Sequence, residues 1–312
     1  MRIVFIGTPD FAVPALEQLV LNGYDVVAVY TQPDRVAGRG QALAAPPVKT
    51  AALEKGLPVV QPESMKLPGA VKQLTDFRPD VIVVSAYGQI LPESVLAIPP
   101  HGVVNIHPSL LPKFRGASPV ASAILSGDEF AGVSLMLLDK GMDTGPVLAR
   151  AQISIAPQDT TGSLTDKLAA VGAQLLLEVL PRWMKGEIAP QPQDEAQATL
   201  TRRFGKGDGE IAWTLPAVEL GRRVRALNPW PGCYTRWQGK QLKIIGSLPL
   251  SDEGNAGIGK VVVLGKGEAA FGVGTGVGVL GILQMQLEGK RAVTAAEFLR
   301  GQKDFAGAVL PG

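Results

Sequence analysis

At 312 residues, 46% apolar and 19% charged, the chain carries enough apolar matter for two cores and too little charge for a disordered polyelectrolyte. Its single cysteine, Cys233, excludes an internal disulfide and a cysteine-built zinc site, and no metal is expected. The net charge is only +2, with the basic excess confined to the part after Phe204. No apolar run reaches membrane-spanning length and no basic, cleavable leader opens the chain, so a soluble, reducing, cytoplasmic setting is expected.

Arg2–Gly7 reads as a first buried strand. Gly7-Thr8-Pro9-Asp10 reads as a turn into a helix, with Thr8 as N-cap, Pro9 at the first helical position and Gly23 as the stop. Phe11, Ala15, Leu16, Leu19 and Val20 recur at helical spacing along it. The turn lacks Gly-x-Gly-x-x-Gly, so a dinucleotide site is not expected. After a second strand, Asp25–Thr31, a stretch without periodicity runs from Gln32 to Lys49; loops of this length are uncommon in compact domains unless functional. Arg35 and Arg39 could reach phosphate or stack on a base, the alternative being a mobile surface loop.

The βα alternation continues through Val59-Val60, a helix near Val71–Phe77 and the wholly apolar strand Val81–Val84, of the buried parallel type. The end of that strand should open beside Asn105, because sequential strands tend to be neighbours. There Tyr87, Gly88, Gln89 and Ile90 turn a core strand towards a helix, with apolar faces and backbone groups at the opening.

Gly102-Val103-Val104 leads into Asn105-Ile106-His107-Pro108-Ser109-Leu110-Leu111-Pro112-Lys113-Phe114-Arg115-Gly116. Period-2 geometry sends Asn105 and His107 to one side, and Pro108 stops the ladder, leaving both at the C-terminal edge where open α/β sheets place their sites. Asp143 sits in a Gly-punctuated turn between the apolar runs Val133–Leu138 and Val147–Ile155. An amide, an imidazole and a carboxylate on strand-end loops suit acyl transfer: the amide donates to an oxyanion, the imidazole handles a proton, the carboxylate orients it. No Gly-x-Ser-x-Gly elbow surrounds Ser109, which favours direct transfer between two bound substrates. A bare Asn-x-His could instead satisfy local backbone groups.

Thr160–Leu180 carries Leu164, Leu168, Val171, Leu175 and Val179 at helical spacing. A Pro- and Gln-rich stretch follows and reads as a linker, residues 189–204, between an N-terminal domain (1–188) and a C-terminal one (205–312). From Arg202 onward basic residues cluster, with Arg222, Arg223 and Arg225 on one helix as candidates for phosphate contact, or as a solvated face. Short Gly-rich strands then suggest a small closed or half-closed β-barrel.

Asn-x-His-Pro-Ser-Leu-Leu-Pro-x-x-Arg-Gly with a downstream Met-Asp-x-Gly resembles the folate-dependent formyltransferases, and the likeness runs from Met1 to about Leu299. The resemblance implies a Rossmann-like formyltransferase domain with a mostly parallel sheet and an oligonucleotide-binding-like β-barrel. It implies 10-formyltetrahydrofolate as donor, Asn105, His107 and Asp143 as catalytic residues, and a pterin cleft at Tyr87–Ile90 and Ser109-Leu110-Leu111-Pro112. Thr-Gln-Pro-Asp-Arg-x-x-Gly-Arg-Gly…Pro-Val-Lys is similar to the insertion that tRNA-formylating members set against the acceptor end of tRNA, implying Arg35, Arg39 and Lys49 as contacts and initiator methionyl-tRNA as partner; a monomer is expected. Two departures stand out: Gln41–Ala45 is uncharged where many relatives carry lysines, and Ala212 replaces an acidic or amide residue.

Overall fold

Runs of β-branched residues between short helices lay down the first sheet. The computed structural model describes the chain apart from residues 38–41, 251–255 and 266; Arg39 and Gln41 lie outside the described residues. In chain order the first part contains β1 (Arg2–Gly7), α1 (Val13–Leu21), β2 (Asp25–Tyr30), β3 (Arg35–Ala37), β4 (Ala42–Ala44), α2 (Pro47–Glu54) and β5 (Val59–Val60). There follow α3 (Pro68–Asp76), β6 (Val81–Ser85), α4 (Glu93–Leu96), β7 (Val103–His107), β8 (Arg115–Gly116), α5 (Pro119–Ser126), β9 (Phe130–Leu137), β10 (Val147–Ser154), α6 (Thr161–Met184) and β11 (Leu200–Thr201).

The seven-stranded sheet has the order β10-β9-β7-β6-β1-β2-β5. Strands β5, β2, β1, β6 and β7 are parallel, and β9 and β10 are antiparallel. The chain starts in the middle, winds to the β5 edge, then returns to lay β6 on the other side of β1. Such a reversal splays the loops leaving β1 and β6 and opens a crevice at the strands' C-terminal ends. All five residues of β6 and all five of β7 are buried, as a sheet covered on both faces requires.

Local signals hold in part. Gly23 ends α1 in the left-handed region at φ +73°, as expected. Thr8 is not the cap of α1: that helix begins at Val13, and the Thr8 hydroxyl donates to the Tyr87 carbonyl across the crevice at 3.0 Å. The stretch from Gln32 to Lys49 contains a short hairpin, β3 with β4, and the start of α2.

The second part holds α7 (Ala217–Ala226), β12 (Cys233–Trp237), β13 (Lys240–Leu250), β14 (Val261–Val263), β15 (Phe271–Gly274), β16 (Val279–Leu287), β17 (Val293–Thr294) and α8 (Ala295–Gly301). Its antiparallel sheet runs β12-β13-β16-β15-β14, with β17 on β16. Among the described residues β12 and β14 do not pair, so the sheet is half closed. The C-terminal segment follows the free edge of β14 (Leu310 N–H to the Gly259 carbonyl, 2.8 Å) and reaches β12, where Thr235 donates to the Pro311 carbonyl at 2.6 Å. Inside, Phe305 meets Trp237, Phe271 and Phe298 edge-on at 5.2, 5.1 and 4.9 Å between ring centroids. Cys233 lies in this core, where burial pushes its thiol up to about 12, so it is a packing residue.

The chain divides into two compact units. The first comprises Met1–Pro119, Phe130–Ser154 and Thr165–Thr201; the second comprises Val120–Glu129, Ile155–Leu164 and Arg202–Gly312. Most of the expected linker therefore belongs to the first unit. Its Gln191 exchanges two backbone hydrogen bonds with Val147, and β11 pairs with β8. Among the described residues no helix is long and apolar enough to cross a membrane.

Candidate active site

The C-terminal ends of β1, β6 and β7 stand side by side, with Gly7 opposite Ser85 and Val84 opposite Asn105. On its other flank β7 pairs with β9, which sets Asn105 against Met136 and His107 against Ser134. Asn105 and His107 therefore project from one face at the crevice. Asn105 is 8% exposed, and its side-chain amide has no hydrogen-bond partner among the described residues. Its amide atoms are not among the fully buried, unpartnered ones, so they remain open to solvent or to a ligand.

His107 is held from two sides. Its Nε2 lies 3.2 Å from the Phe114 carbonyl, an acceptor, so that nitrogen carries the proton in the neutral ring. Nδ1 faces the Asp143 carboxylate at 3.6 Å, beyond direct hydrogen-bond length. Burial holds His107 below its ordinary value, opposed first by the Asp143 carboxylate and then by the Phe114 carbonyl. The neutral ring thus leaves Nδ1 as a bare base beside a carboxylate able to stabilise the proton it gains.

Asp143 reaches this position through a tight turn after β9. Asp139 accepts from the Gly141 N–H at 2.9 Å and from the Thr144 hydroxyl at 2.7 Å, tying the turn together. At Gly145 a Cβ would collide with the Leu137 carbonyl, so the chain can re-enter the sheet here only with glycine. Asp143 itself is left-handed, at φ +55°, and its carboxylate accepts from the Gly116 N–H at 2.8 Å.

The segment after His107 folds back over β9 and β10. Ser134 donates to the Ser109 carbonyl at 2.7 Å and accepts from the Leu111 N–H at 3.0 Å; Arg150, opposite Ser134 in register, donates to the Leu111 carbonyl at 2.8 Å. The Ser109 hydroxyl donates to the Lys113 carbonyl at 2.6 Å and does not meet His107, so no serine–histidine nucleophile pair exists here. Leu111 is buried, and Leu110 packs over Gly132 of β9, where no Cβ would fit. Neither Ser134 nor Arg150 was singled out in the sequence, although a serine inside an apolar strand was a usable signal. Ser134→Ala should lower stability by about 1–3 kcal/mol, because it strands a buried N–H and a carbonyl. The urea midpoint measures this loss.

Of the expected heterocycle contacts, Tyr87 turns its side chain into the core, where burial pushes its phenol up to about 12. The Gln89 side chain ties down Glu63 and Met65, and Ile90 is exposed. Their backbone is open: among the described residues no N–H from Ala86 to Ile90 meets an acceptor.

The expected cationic contacts are distributed differently. Lys49 is bound to both carboxylate oxygens of Asp34, at 2.8 and 2.6 Å, and Arg35 donates to Gln32 at 3.0 Å. In the second unit Arg223 donates to the Asp208 carbonyl at 3.2 Å and Arg225 to the Asp159 carbonyl at 3.0 Å. Only Arg222 of the three makes no hydrogen bond among the described residues; its guanidinium lies over Gly127. Among the described residues no cluster of metal-ligating side chains occurs.

An amide, an imidazole and a carboxylate at the open end of such a sheet are suited to acyl transfer. The Formyl transferase family matches residues 1–180 and the Formyl transferase C-terminal domain matches residues 203–303, and the chain belongs to this family. Within it, the chain is 51% identical to the methionyl-tRNA formyltransferase of Dehalococcoides mccartyi, over 98% of this chain and 97% of that protein. It is 49% identical to the enzyme of the same name from Chloroflexus aggregans, over 96% and 97%. Among solved structures, the sugar 3N-formyl transferase WlaRD shares the fold at 19% identity and TM-score 0.66, over 93% of this chain and 99% of that one. HypX from Aquifex aeolicus, solved with tetrahydrofolic acid, does so at 19% identity and TM-score 0.64, over 99% of this chain and 48% of that one.

Proposed function

We propose that this protein transfers the formyl group of 10-formyltetrahydrofolate to the α-amino group of methionyl-initiator tRNA, giving the formylmethionyl-tRNA used in translation initiation. The observation that supports this above others is identity of 51% and 49%, over nearly the whole chain, to relatives bearing the methionyl-tRNA formyltransferase name. The unpartnered Asn105 amide beside the His107–Asp143 pair supplies the chemistry.

The folate would sit against the unpaired N–H groups of residues 86–90 and the stapled Ser109–Pro112 segment, whose buried Leu111 and packed Leu110 offer an apolar wall. When bound it supplies a formyl carbon attached to nitrogen. One C–N bond forms to the amine and one breaks at the folate, while a proton leaves the amine and a proton reaches the departing nitrogen. A free α-amino group titrates near ~8, and its ester is less basic still, so the neutral nucleophile is available at neutral pH. As the amine adds, negative charge grows on the formyl oxygen, and Asn105 donates to it. Nδ1 of His107 takes the amine's proton, Asp143 stabilises the resulting imidazolium, and the proton passes on to the leaving nitrogen. Arg35, Arg39, Lys49 and the helix α7 arginines are the proposed tRNA contacts, Arg222 foremost because its hydrogen-bonding groups are unclaimed among the described residues.

The test is direct. The protein is incubated with formyl donor and either charged initiator tRNA or an amino sugar nucleotide. Formylation of the tRNA alone is the expected result. Modification of the sugar would assign the chain to the other acceptor class, and modification of neither would leave an RNA-binding protein on a formyltransferase scaffold.

A further inference from the structure

Two non-glycine residues beside the His107 ring are left-handed: Phe114 at φ +61° and Asp143 at φ +55°. L side chains enter that region at a cost, so each needs to be held there. Both are held from one segment, the strap Gln191–Thr201 that precedes the second unit.

At one end of the strap, Gln193 donates from Nε2 to the Asp143 carbonyl at 2.8 Å and to the Gly145 carbonyl at 2.7 Å. Its Oε1 accepts from Arg115, Nε at 3.0 Å and Nη2 at 2.9 Å. An amide has two donors and two acceptor sites, so Gln193 is saturated. Arg115, 3% exposed, adds a two-point pair with Glu195 at 2.9 and 2.7 Å. At the other end, the Thr199 hydroxyl accepts from the Phe114 N–H at 2.8 Å, and the Thr199 carbonyl accepts from the Arg115 N–H at 2.9 Å. Thr201 then pairs with Gly116, whose N–H holds the Asp143 carboxylate. A Cβ on Gly116, at φ +104°, would stand 2.9 Å from the Thr201 carbonyl, so this approach requires glycine.

We infer that the strap is part of the active site, with Gln193 and Thr199 as positioning residues that fix the two groups flanking the imidazole: Asp143 at Nδ1 and the Phe114 carbonyl at Nε2. Neither touches a reacting atom. The inference rests on the formyl-transfer reading for its consequence, but the geometry it concerns exists without substrate.

The chain has only two histidines, His101 and His107, so the His107 ring can be followed by NMR in the free protein, with His101→Gln giving the assignment. In Gln193→Leu the His107 titration should move to lower pH as the carboxylate drifts, and kcat should fall by about 10–100-fold with the KM for the formyl donor unchanged. Thr199→Val should shift the ring signals and kcat in the same way, and Thr199→Ser, which keeps the acceptor, should restore both. A lowered melting point with wild-type ring titration and kcat would overturn the inference, reducing the strap to a structural tie. So would a moved titration with wild-type kcat. Where Gln193→Leu does not fold, the Thr199 pair decides. Should the wild-type protein formylate no tRNA, the functional reading fails, while the NMR arm still reports on the strap.

Discussion

Asn105→Ala is expected to formylate methionyl-tRNA about 10²–10³ times more slowly than the wild type, the usual consequence of losing one oxyanion donor. The KM for the formyl donor should hardly change, because the donated hydrogen bond strengthens only as charge develops on the formyl oxygen. Stability should respond little. The Asn105 side chain makes no hydrogen bond among the described residues, and its amide atoms are not among the fully buried, unpartnered ones, so little folding energy depends on them. Removing them should leave the urea midpoint nearly unchanged. A slow and equally stable variant separates a catalytic amide from a structural one. Turnover close to the wild type would remove Asn105 from the mechanism, and a marked loss of stability would return it to the packing.

The same contrast explains what could be read from the sequence. The buried strands and the exit of Asn105 and His107 at one edge follow from β-branched runs and the period-2 rule, because these report which faces are buried. Asp143 was visible through its glycine neighbours between two apolar runs, which mark a turn whatever surrounds it. The strap was not. Gln193 and Thr199 work through side-chain hydrogen bonds and a two-residue ladder, and no apolar face repeats along them; a stretch rich in Pro and Gln then reads as linker. Thr8 carried a genuine capping signal that a distant carbonyl, that of Tyr87, captured instead.

The helix α7 arginines illustrate a different limit. Successive helical residues are turned by about 100°, so Arg222 and Arg223 cannot face one phosphate track together. The structure gives Arg223 and Arg225 to backbone carbonyls, which charge counting alone cannot foresee. Arg222→Ala is the informative substitution there. It should weaken tRNA binding at low salt and flatten its salt dependence, whereas formyl-donor binding should not respond.

Asp143→Asn tests the remaining part of the chemistry, and it moves two observables in a defined direction. In the wild type, burial lowers the His107 pKa from its ordinary value of 6.5 while the Asp143 carboxylate raises it. The asparagine removes the upward influence, leaving burial and the Phe114 carbonyl, so the ring should titrate at lower pH still. The acid limb of kcat, where protonated His107 can no longer accept the amine's proton, should follow it downward. The plateau should nevertheless fall by about 10²–10⁴, because the imidazolium formed during the reaction has lost its counter-charge. Stability obeys the same sign. A histidine kept neutral by the fold contributes stability above its unfolded pKa and loses that contribution as pH falls toward its folded pKa. The variant, with the lower folded pKa, should therefore lose stability over a longer acid range below pH 6.5 than the wild type. If the acid limb and the His107 signal instead move upward together in Asp143→Asn, the carboxylate is not what supports the charged ring, and proton transfer through the pair is ruled out.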